Sequence, residues 1–465
     1  MSAAPLKQDF TTLTYNAKDK ITLNKRVLAE QYPRDRILGL LKSPFLEERF
    51  RSNKYSQRDA RQYYENEKKQ LEAILGTYDK ATNAFLVTYK QAKSGYGRVF
   101  PVQALGMSSL CKKARNTLIH GLYTDFDLAN AHPVILKQLC DKNGIPCPHI
   151  TTYVEKREEV LAEVMAAYIV NRKMAKKLML RLTFMGCLKS FKEDFGIDVP
   201  DANDPLLPQL YSSELKTIAA ILKPHNLPMY ESARKSKTAK EDGSKNIIGS
   251  FLSSFTQSLE VKIVSKVLDV LHHETNLTRQ NGSDIAVCIY EYDGLKLRTE
   301  VCDAFGGTQA VIDYLNRITL EYTGYALSWE DKPIEEYWDI TPYLPTADEV
   351  AACQSMEGVY TELEAAQKLY SLYPHWTYCK ASKELYVWDN ETGLYSTDRV
   401  VHDRIILRYT KYLHQMYYCS DSHTYKRSEH VSYGSSVKLR QLLYANLKTV
   451  NMKENFLESM AQTSL

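Results

Sequence analysis

Polar and apolar residues alternate from Leu122 to Asp127, with Leu122, Thr124 and Phe126 on one side and Tyr123, Asp125 and Asp127 on the other. A period of two predicts a strand whose second face carries two carboxylates. The alternation stops at Leu128-Ala-Asn, and residues 131–139 read as a helix with Asn130 at its cap and Pro133 in its first turn. Alternation returns over residues 285–297 and predicts a β-hairpin with Asp293-Gly294 at its tip and Glu291 and Asp293 on one face.

The helical period dominates elsewhere. It marks residues 56–75, residues 155–195 with a short break near Gly186, and residues 247–273, whose apolar positions read mostly as core. Ser94-Gly-Tyr-Gly-Arg98 is a glycine-punctuated turn presenting one arginine, and residues 200–208 are a loop rich in proline and aspartate. Residues 232–245 read as a basic, polar loop, and 300–345 as mixed helix and strand. A linker is expected near residues 339–348. Beyond it, residues 376–379 and 385–395 suggest a small sheet with a Glu-Thr-Gly turn, residues 399–417 a basic helix, and the remainder a polar helical tail. The expected class is α+β: a helical region 1–90, a central domain 91–345 and a small α+β module 355–465.

A chain of 465 residues supports two or three domains. The net charge of +4 is too small to prove a polyanionic partner, so local clustering must carry that argument. Nine cysteines without a CxxC pair read as reduced thiols; Cys140, Cys147 and His149 lie close together but lack an evident fourth zinc ligand. No apolar run approaches ~18 residues and no signal pattern opens the chain, so an intracellular protein without a membrane span is expected.

The candidate chemistry lies in three elements taken in order. The strand at 122–127 offers Asp125 and Asp127. Arg172, Lys173, Lys176, Lys177, Arg181, Lys189 and Lys192 follow, with no acid between Val170 and Lys192; the hairpin then offers Glu291 and Asp293. Carboxylates from two strands can hold a pair of Mg²⁺ or Mn²⁺ ions, which keep several waters and so need few protein ligands. Arg172 and Lys176 stand one helical turn apart and suit a triphosphate, with Leu180 and Phe184 continuing the same face. An aromatic side chain there can stack on a base. Each element alone is also consistent with a solvated acidic strand, a basic surface helix and a polar hairpin tip.

Arg172-x3-Lys176-x7-Phe184 resembles the fingers-helix motif of family A DNA polymerases and single-subunit phage RNA polymerases, with the glycine displaced by one to Gly186. Ser94-Gly-Tyr-Gly-Arg98 is similar to their Asp-x-x-Gly-Arg element, and Tyr292-Asp293 stands where they have His-Asp. Together with Asp-x-Asp-x-x-Asn-x-His-Pro, the pattern looks most like the transposon–virus polymerase branch of virophages, giant viruses and mobile elements. The resemblance covers about residues 90–300; residues 355–465 more loosely resemble the segment before superfamily 3 helicases in viral primase-helicases.

The resemblance implies a right-hand palm, fingers and thumb fold with an antiparallel palm sheet. It implies a metal site with two ions at Asp127, Asp125, Asp293 and Glu291, with catalytic roles for Asp125, Asp127, Asp293 and Lys176. Arg172, Lys176 and Phe184 would bind nucleotide, and Asn130 or His132 would sense its sugar. Asp125 goes with Asn130 on one alignment and Asp127 with His132 on another, with a lean to Asp127. Arg98, Arg115 and Gln257 would contact nucleic acid. The implied partners are DNA template and primer, nucleoside triphosphates and a superfamily 3 helicase domain in the same longer polypeptide, at a viral replication site in host cytoplasm or nucleus, with room for a homo-oligomer. No Gly-x4-Gly-Lys-Ser/Thr occurs, so no ATPase motor is expected within these residues. The leading function is a DNA polymerase. A primase or RNA polymerase using the same site, a non-catalytic DNA-binding or helicase-loading scaffold, and a metal-dependent nuclease are the competing readings.

Overall fold

The computed structural model describes residues 7–19, 21–51, 57–79, 82–238, 246–279, 284–345, 376–379, 384–389, 392, 394–410, 416–419, 424–427 and 452–453. The chain divides into two compact units, Met1–Tyr32 with Tyr78–Trp338, and Pro33–Thr77 with Asp339–Leu465.

The first unit is built on two sheets. In one, β1 (Val27–Glu30), β2 (Tyr78–Asp79), β3 (Ala84–Gln91), β4 (Val99–Pro101) and β6 (Ala286–Val287) take the order β2-β3-β1-β6, with β4 on β3. In the other, β5 (Tyr123–Leu128), β7 (Ile289–Glu291), β8 (Gly294–Arg298) and β9 (Trp329–Asp331) take the order β7-β8-β5-β9, antiparallel throughout. Cys288 is the one residue between β6 and β7, so this stretch leaves one sheet and enters the other without a loop. Phe126, Leu128, Tyr290, Leu295 and Leu297 are buried in the core beneath the second sheet.

The helix Ile247–Glu274 is the spine of this unit. At ~1.5 Å per residue its 28 residues span roughly 40 Å. It is buried nearly all round, charged positions included, and a buried charge must be paired. The chain before β1 supplies the partners. Asp19 takes Lys262 at 2.9 Å, Arg26 takes Asp269 at 2.5 Å, and Leu23 N–H donates to the Ser265 hydroxyl at 2.8 Å. Residues 1–90 are therefore not one helical region. Their first part wraps the spine, and β1, β2 and β3 join a sheet, because tertiary pairing overrides a charged, helix-prone composition.

The cationic stretch forms three helices, Arg157–Tyr168, Arg172–Thr183 and Leu188–Phe195. Asn171 caps the second by accepting from Met174 N–H at 3.0 Å. The interruption expected near Gly186 falls at residues 184–187, with Met185 at φ 60°. Residues 232–238 of the expected basic loop belong to a helix, Leu227–Thr238, and residues 239–245 lie outside the described residues.

In the second unit, Arg34–Lys42 packs its Gly39 against Leu344, and Phe45–Arg51 pairs with Gln57–Leu75 through Arg49 and Glu67 at 2.5 Å. β10 (Trp376–Cys379), β11 (Glu384–Asp389) and β12 (Leu394–Ser396) form the expected small sheet, with β15 (Met452–Lys453) added in parallel to β10. β13 (Met416–Cys419) and β14 (Thr424–Arg427) make a separate ribbon. The helix expected over 399–417 stops at Thr410, and β13 begins six residues later. Most of the expected helical tail lies outside the described residues.

Candidate functional site

β5 carries Asp125 opposite Lys296 and Asp127 opposite Gly294 of β8, while Asp127 also faces Glu330 of β9. The hairpin turn consists of Tyr292 and Asp293, one residue earlier than the Asp293-Gly294 tip expected from the sequence. Gly294 is required inside the strand instead, since a Cβ there would lie 2.5 Å from both Asp127 Oδ1 and the Phe126 carbonyl. The left-handed turn position falls to Tyr292, at φ 55°. Its ring compensates by packing under the Arg98 guanidinium, 4.8 Å away, and edge-on to Phe100, and its hydroxyl donates to the Ser108 carbonyl at 3.3 Å.

This turn separates two carboxylates expected on one face. Asp293 leaves the strand pleat, and its carbonyl accepts from Leu128 N–H at 3.1 Å, beside Asp127. Burial, then the charges of Asp127 and Glu260, raise the Asp293 carboxyl to about 7. Glu291 turns the other way, to Lys296 at 2.8 Å and to Arg115. Lys296 also holds Asp125 at 2.6 Å. Burial raises the Asp125 carboxyl, with Lys296 opposing. Asp125, Lys296, Glu291 and Arg115 thus form a neutralised chain. Asp127 and Asp293 form a second pair, whose cation is the Lys332 ammonium on Asp127.

Behind Asp293 stands Glu260, fully buried on the spine helix. Arg98 donates to it from Nε at 2.6 Å and from Nη2 at 2.9 Å, and His132 Nε2 lies 2.7 Å away. Burial alone would raise this carboxyl, but His132 and Arg98 outweigh it and hold it at about 2. Arg98, expected on nucleic acid, is taken up by Glu260, and Arg115 by Glu291. Gln257 donates to Ser253 Oγ at 3.0 Å, on the same helix, and faces Gly97 of the glycine turn. The Tyr290 hydroxyl is buried without a hydrogen-bond partner among the described residues.

His132, in the first turn of the helix Ala131–Lys142, meets the Phe184 ring edge-on at 5.3 Å. Phe184 ends the cationic helix, and its carbonyl accepts from Asn246 Nδ2 at 2.9 Å. Gly249 allows this approach, since a Cβ there would lie 2.1 Å from that carbonyl. Asn130 does not cap its helix. It adopts φ 53°, which turns its side chain out of capping reach and leaves Nδ2 buried without a partner among the described residues.

Arg172 pairs with Glu158 at 2.5 Å on the surface. Lys176 has no ion pair among the described residues; burial and then the charges of Arg157 and Arg172 lower its pKa. Glu330, opposite Asp127 on β9, acts electrostatically on both cations. Three of the other five cations are used structurally: Arg181 on Asp194, Lys192 on Asp201 and Asp204, and Lys177 over the Phe195 ring.

Sequence reasoning missed Glu260, Lys296 and Lys332. An acid in the middle of an apolar helix was the available signal for Glu260, and a lysine between Leu295 and Leu297 the signal for Lys296; nothing marked Lys332. Among the described residues no group of three His, Cys, Asp or Glu side chains is assembled to hold a metal ion, at the carboxylates or at Cys140, Cys147 and His149. No helix among them is long and apolar enough to cross a membrane.

No protein-family model matches the chain. It is 24% identical over 354 residues to a protein of Sputnik virophage named "Putative helicase V13"; the match takes in 76% of this chain and 41% of the length of that relative. Among solved structures it is similar to the POL domain of Pol1 from M. smegmatis in complex with DNA primer-template and dNTP, with a TM-score of 0.34 and 9% identity over 59% of this chain and 52% of that one.

Proposed function

We propose that the chain carries out template-directed nucleotidyl transfer as a DNA polymerase of a viral or mobile-element replisome. In this reading β7-β8-β5-β9 is the palm sheet and the helices from Arg157 to Phe195 are the fingers. One observation carries it: Asp127 and Asp293, distant in sequence, come together at the β5–β8 junction, where the Leu128 N–H donates to the Asp293 carbonyl and the charge of Asp127 acts on the Asp293 carboxyl.

The pair fits Mg²⁺ or Mn²⁺. Two carboxylates supply hard oxygen donors, and burial, joined by the charge of Asp127, raises Asp293 to about 7, a cost that a bound cation relieves. Asp127 and Asp293 would hold two ions largely completed by water, while Asp125 and Glu291 stay with Lys296. When bound, such ions activate the primer hydroxyl and offset charge on the triphosphate and leaving pyrophosphate.

The chain's own residues do the rest. Lys176, without an ion pair among the described residues and partly desolvated, binds the triphosphate, joined by Arg172 when it exchanges exposed Glu158 for phosphate. Phe184 stacks on the nucleotide. His132, packed on Phe184 and fixed by Glu260, faces the sugar. Arg98 and Arg115 act by positioning: Arg98 supports the Tyr292 turn and Glu260, and Arg115 holds Glu291 off the site. The virophage relative, named as a helicase and extending well beyond the matched stretch, supports a replication setting with a helicase domain as partner.

The test is nucleotide incorporation on single-stranded DNA with Mg²⁺ or Mn²⁺, with and without primer, using dNTPs or NTPs. Primer extension with dNTPs is expected, abolished in Asp293→Asn with DNA binding retained. Product from NTPs without primer would move the assignment to primase. Tight DNA binding with no incorporation under any condition would leave the scaffold reading.

A further inference from the structure

Lys332 lies one residue beyond β9, and its position is well fixed. Its backbone N–H donates to the Asp125 carbonyl at 2.8 Å, extending the ladder past Asp331. The strand is anchored at its start by buried Trp329, whose indole donates to Thr319 Oγ1 and whose N–H donates to Asn316 Oδ1, both at 2.8 Å. From this base the ammonium reaches Asp127 Oδ2, in the field of Asp125 and Asp293, while 56% of the side chain stays exposed.

Lys296, the other lysine at these carboxylates, has a different setting. It is 3% exposed and locked between Asp125 and Glu291. A buried ammonium held twice cannot leave without stranding charge. A solvated one on a flexible four-carbon stem can leave at little cost. Asp127 also belongs to the pair that would take a divalent cation, and an ammonium and such a cation repel each other at the same oxygen.

We propose that Lys332 is a placeholder cation on Asp127, released when a divalent ion takes that carboxylate and then bound to the phosphates of the incoming nucleotide. The inference rests on the nucleotidyl-transfer reading. Freed from Asp127, the ammonium remains tethered beside the pair by the β9 ladder, and the anion arriving there is the triphosphate. Lys332 would grip it from the sheet side and Lys176 from the helix side. Lys332 thus becomes a substrate-contacting residue that no motif marks.

The role has a signature that ordinary structural damage lacks: the metal and nucleotide affinities move in opposite directions. In Lys332→Ala, Mn²⁺ alone, titrated by electron paramagnetic resonance, should bind about three- to fivefold tighter, because an exposed competitor has gone. At saturating Mn²⁺ the same variant should show a dNTP KM raised about tenfold in primer extension, with kcat less affected, because a charge-assisted contact is lost. Lys332→Arg should restore KM. Unchanged or weaker Mn²⁺ binding overturns the placeholder role, and tighter Mn²⁺ with unchanged KM overturns the transfer to phosphate. If the wild-type protein extends primers while neither quantity moves in Lys332→Ala, this inference fails alone. If the wild-type protein neither binds Mn²⁺ nor incorporates nucleotide, the polymerase reading fails first and takes this one with it.

Discussion

Two pairs of carboxylates sit at the β5–β8 junction, and the fold treats them oppositely. Asp125 and Glu291 share a buried lysine, and Glu291 has an arginine as well. Asp127 and Asp293 have one solvated lysine, and burial, then the charge of Asp127, pushes the Asp293 carboxyl to about 7. Asp125 and Asp127 are two residues apart on one strand, so neither residue type nor strand explains the contrast. It comes from the neighbouring strand, which puts Lys296 opposite the first and Gly294 opposite the second. A neutralised pair holds a sheet together, whereas an under-neutralised pair keeps affinity for an outside cation.

The widest gap should appear in nucleotide incorporation. Asp127→Asn is expected to lower it by on the order of 10³-fold or more, since a metal contact supplies several kcal/mol. Asp125→Asn should lower it by about tenfold or less. Equal losses would erase the distinction between the pairs.

Stability should show the reverse ranking. Lys296→Met leaves the half-buried Asp125 and Glu291 without their shared cation and should cost about 3 kcal/mol in urea unfolding. Lys332→Met, at an exposed pair, should cost under about 1 kcal/mol. Comparable midpoints for the two variants would show that Lys296 is not holding the sheet.

A separate effect, read as a slope against pH, concerns a buried acid with no ion pair among the described residues. Glu30 accepts from Met107 N–H at 3.0 Å and from the Tyr89 hydroxyl at 3.1 Å, and burial raises its carboxyl to about 8. Because the folded-state value lies above the ordinary 4.5, the folded protein keeps a proton that the unfolded chain releases. Its contribution is therefore full below about 4.5 and declines as pH rises toward 8, by at most about 1.4 kcal/mol per pH unit. Glu260 works with the opposite sign: held at about 2, it contributes above 4.5 and loses that contribution as pH falls. Unfolding of Glu30→Gln followed from pH 5 to 8 should show a flatter slope than wild type, and an unchanged slope would place the titration elsewhere.

Much of the element order was legible from periodicity. The β5 strand, the helix from Ala131, the spine helix and the small C-terminal sheet stand close to where the hydrophobic pattern puts them. The strands within the first 90 residues were not legible, because they are short and their pairing partners lie elsewhere in the chain: β1 pairs with β3 and, in parallel, with β6. The N-terminal wrap around the spine was equally hidden, since it depends on buried charges finding partners more than two hundred residues away.

By itself, the sequence determined which residue types sit at each step of the chain: two acids on one strand, a helix with Arg172 and Lys176 one turn apart, and an acid at a hairpin. Those follow from local geometry, in which spacing alone places side chains on a face. Tertiary structure decided which acids remain open to a ligand. Lys296, Lys332 and Glu260 set that choice through contacts across strands and helices, and charges in a low-dielectric interior respond to whichever group lies opposite, whatever its distance along the chain. The one-residue shift of the hairpin tip was settled the same way, by Asp127 leaving no room for a Cβ at Gly294.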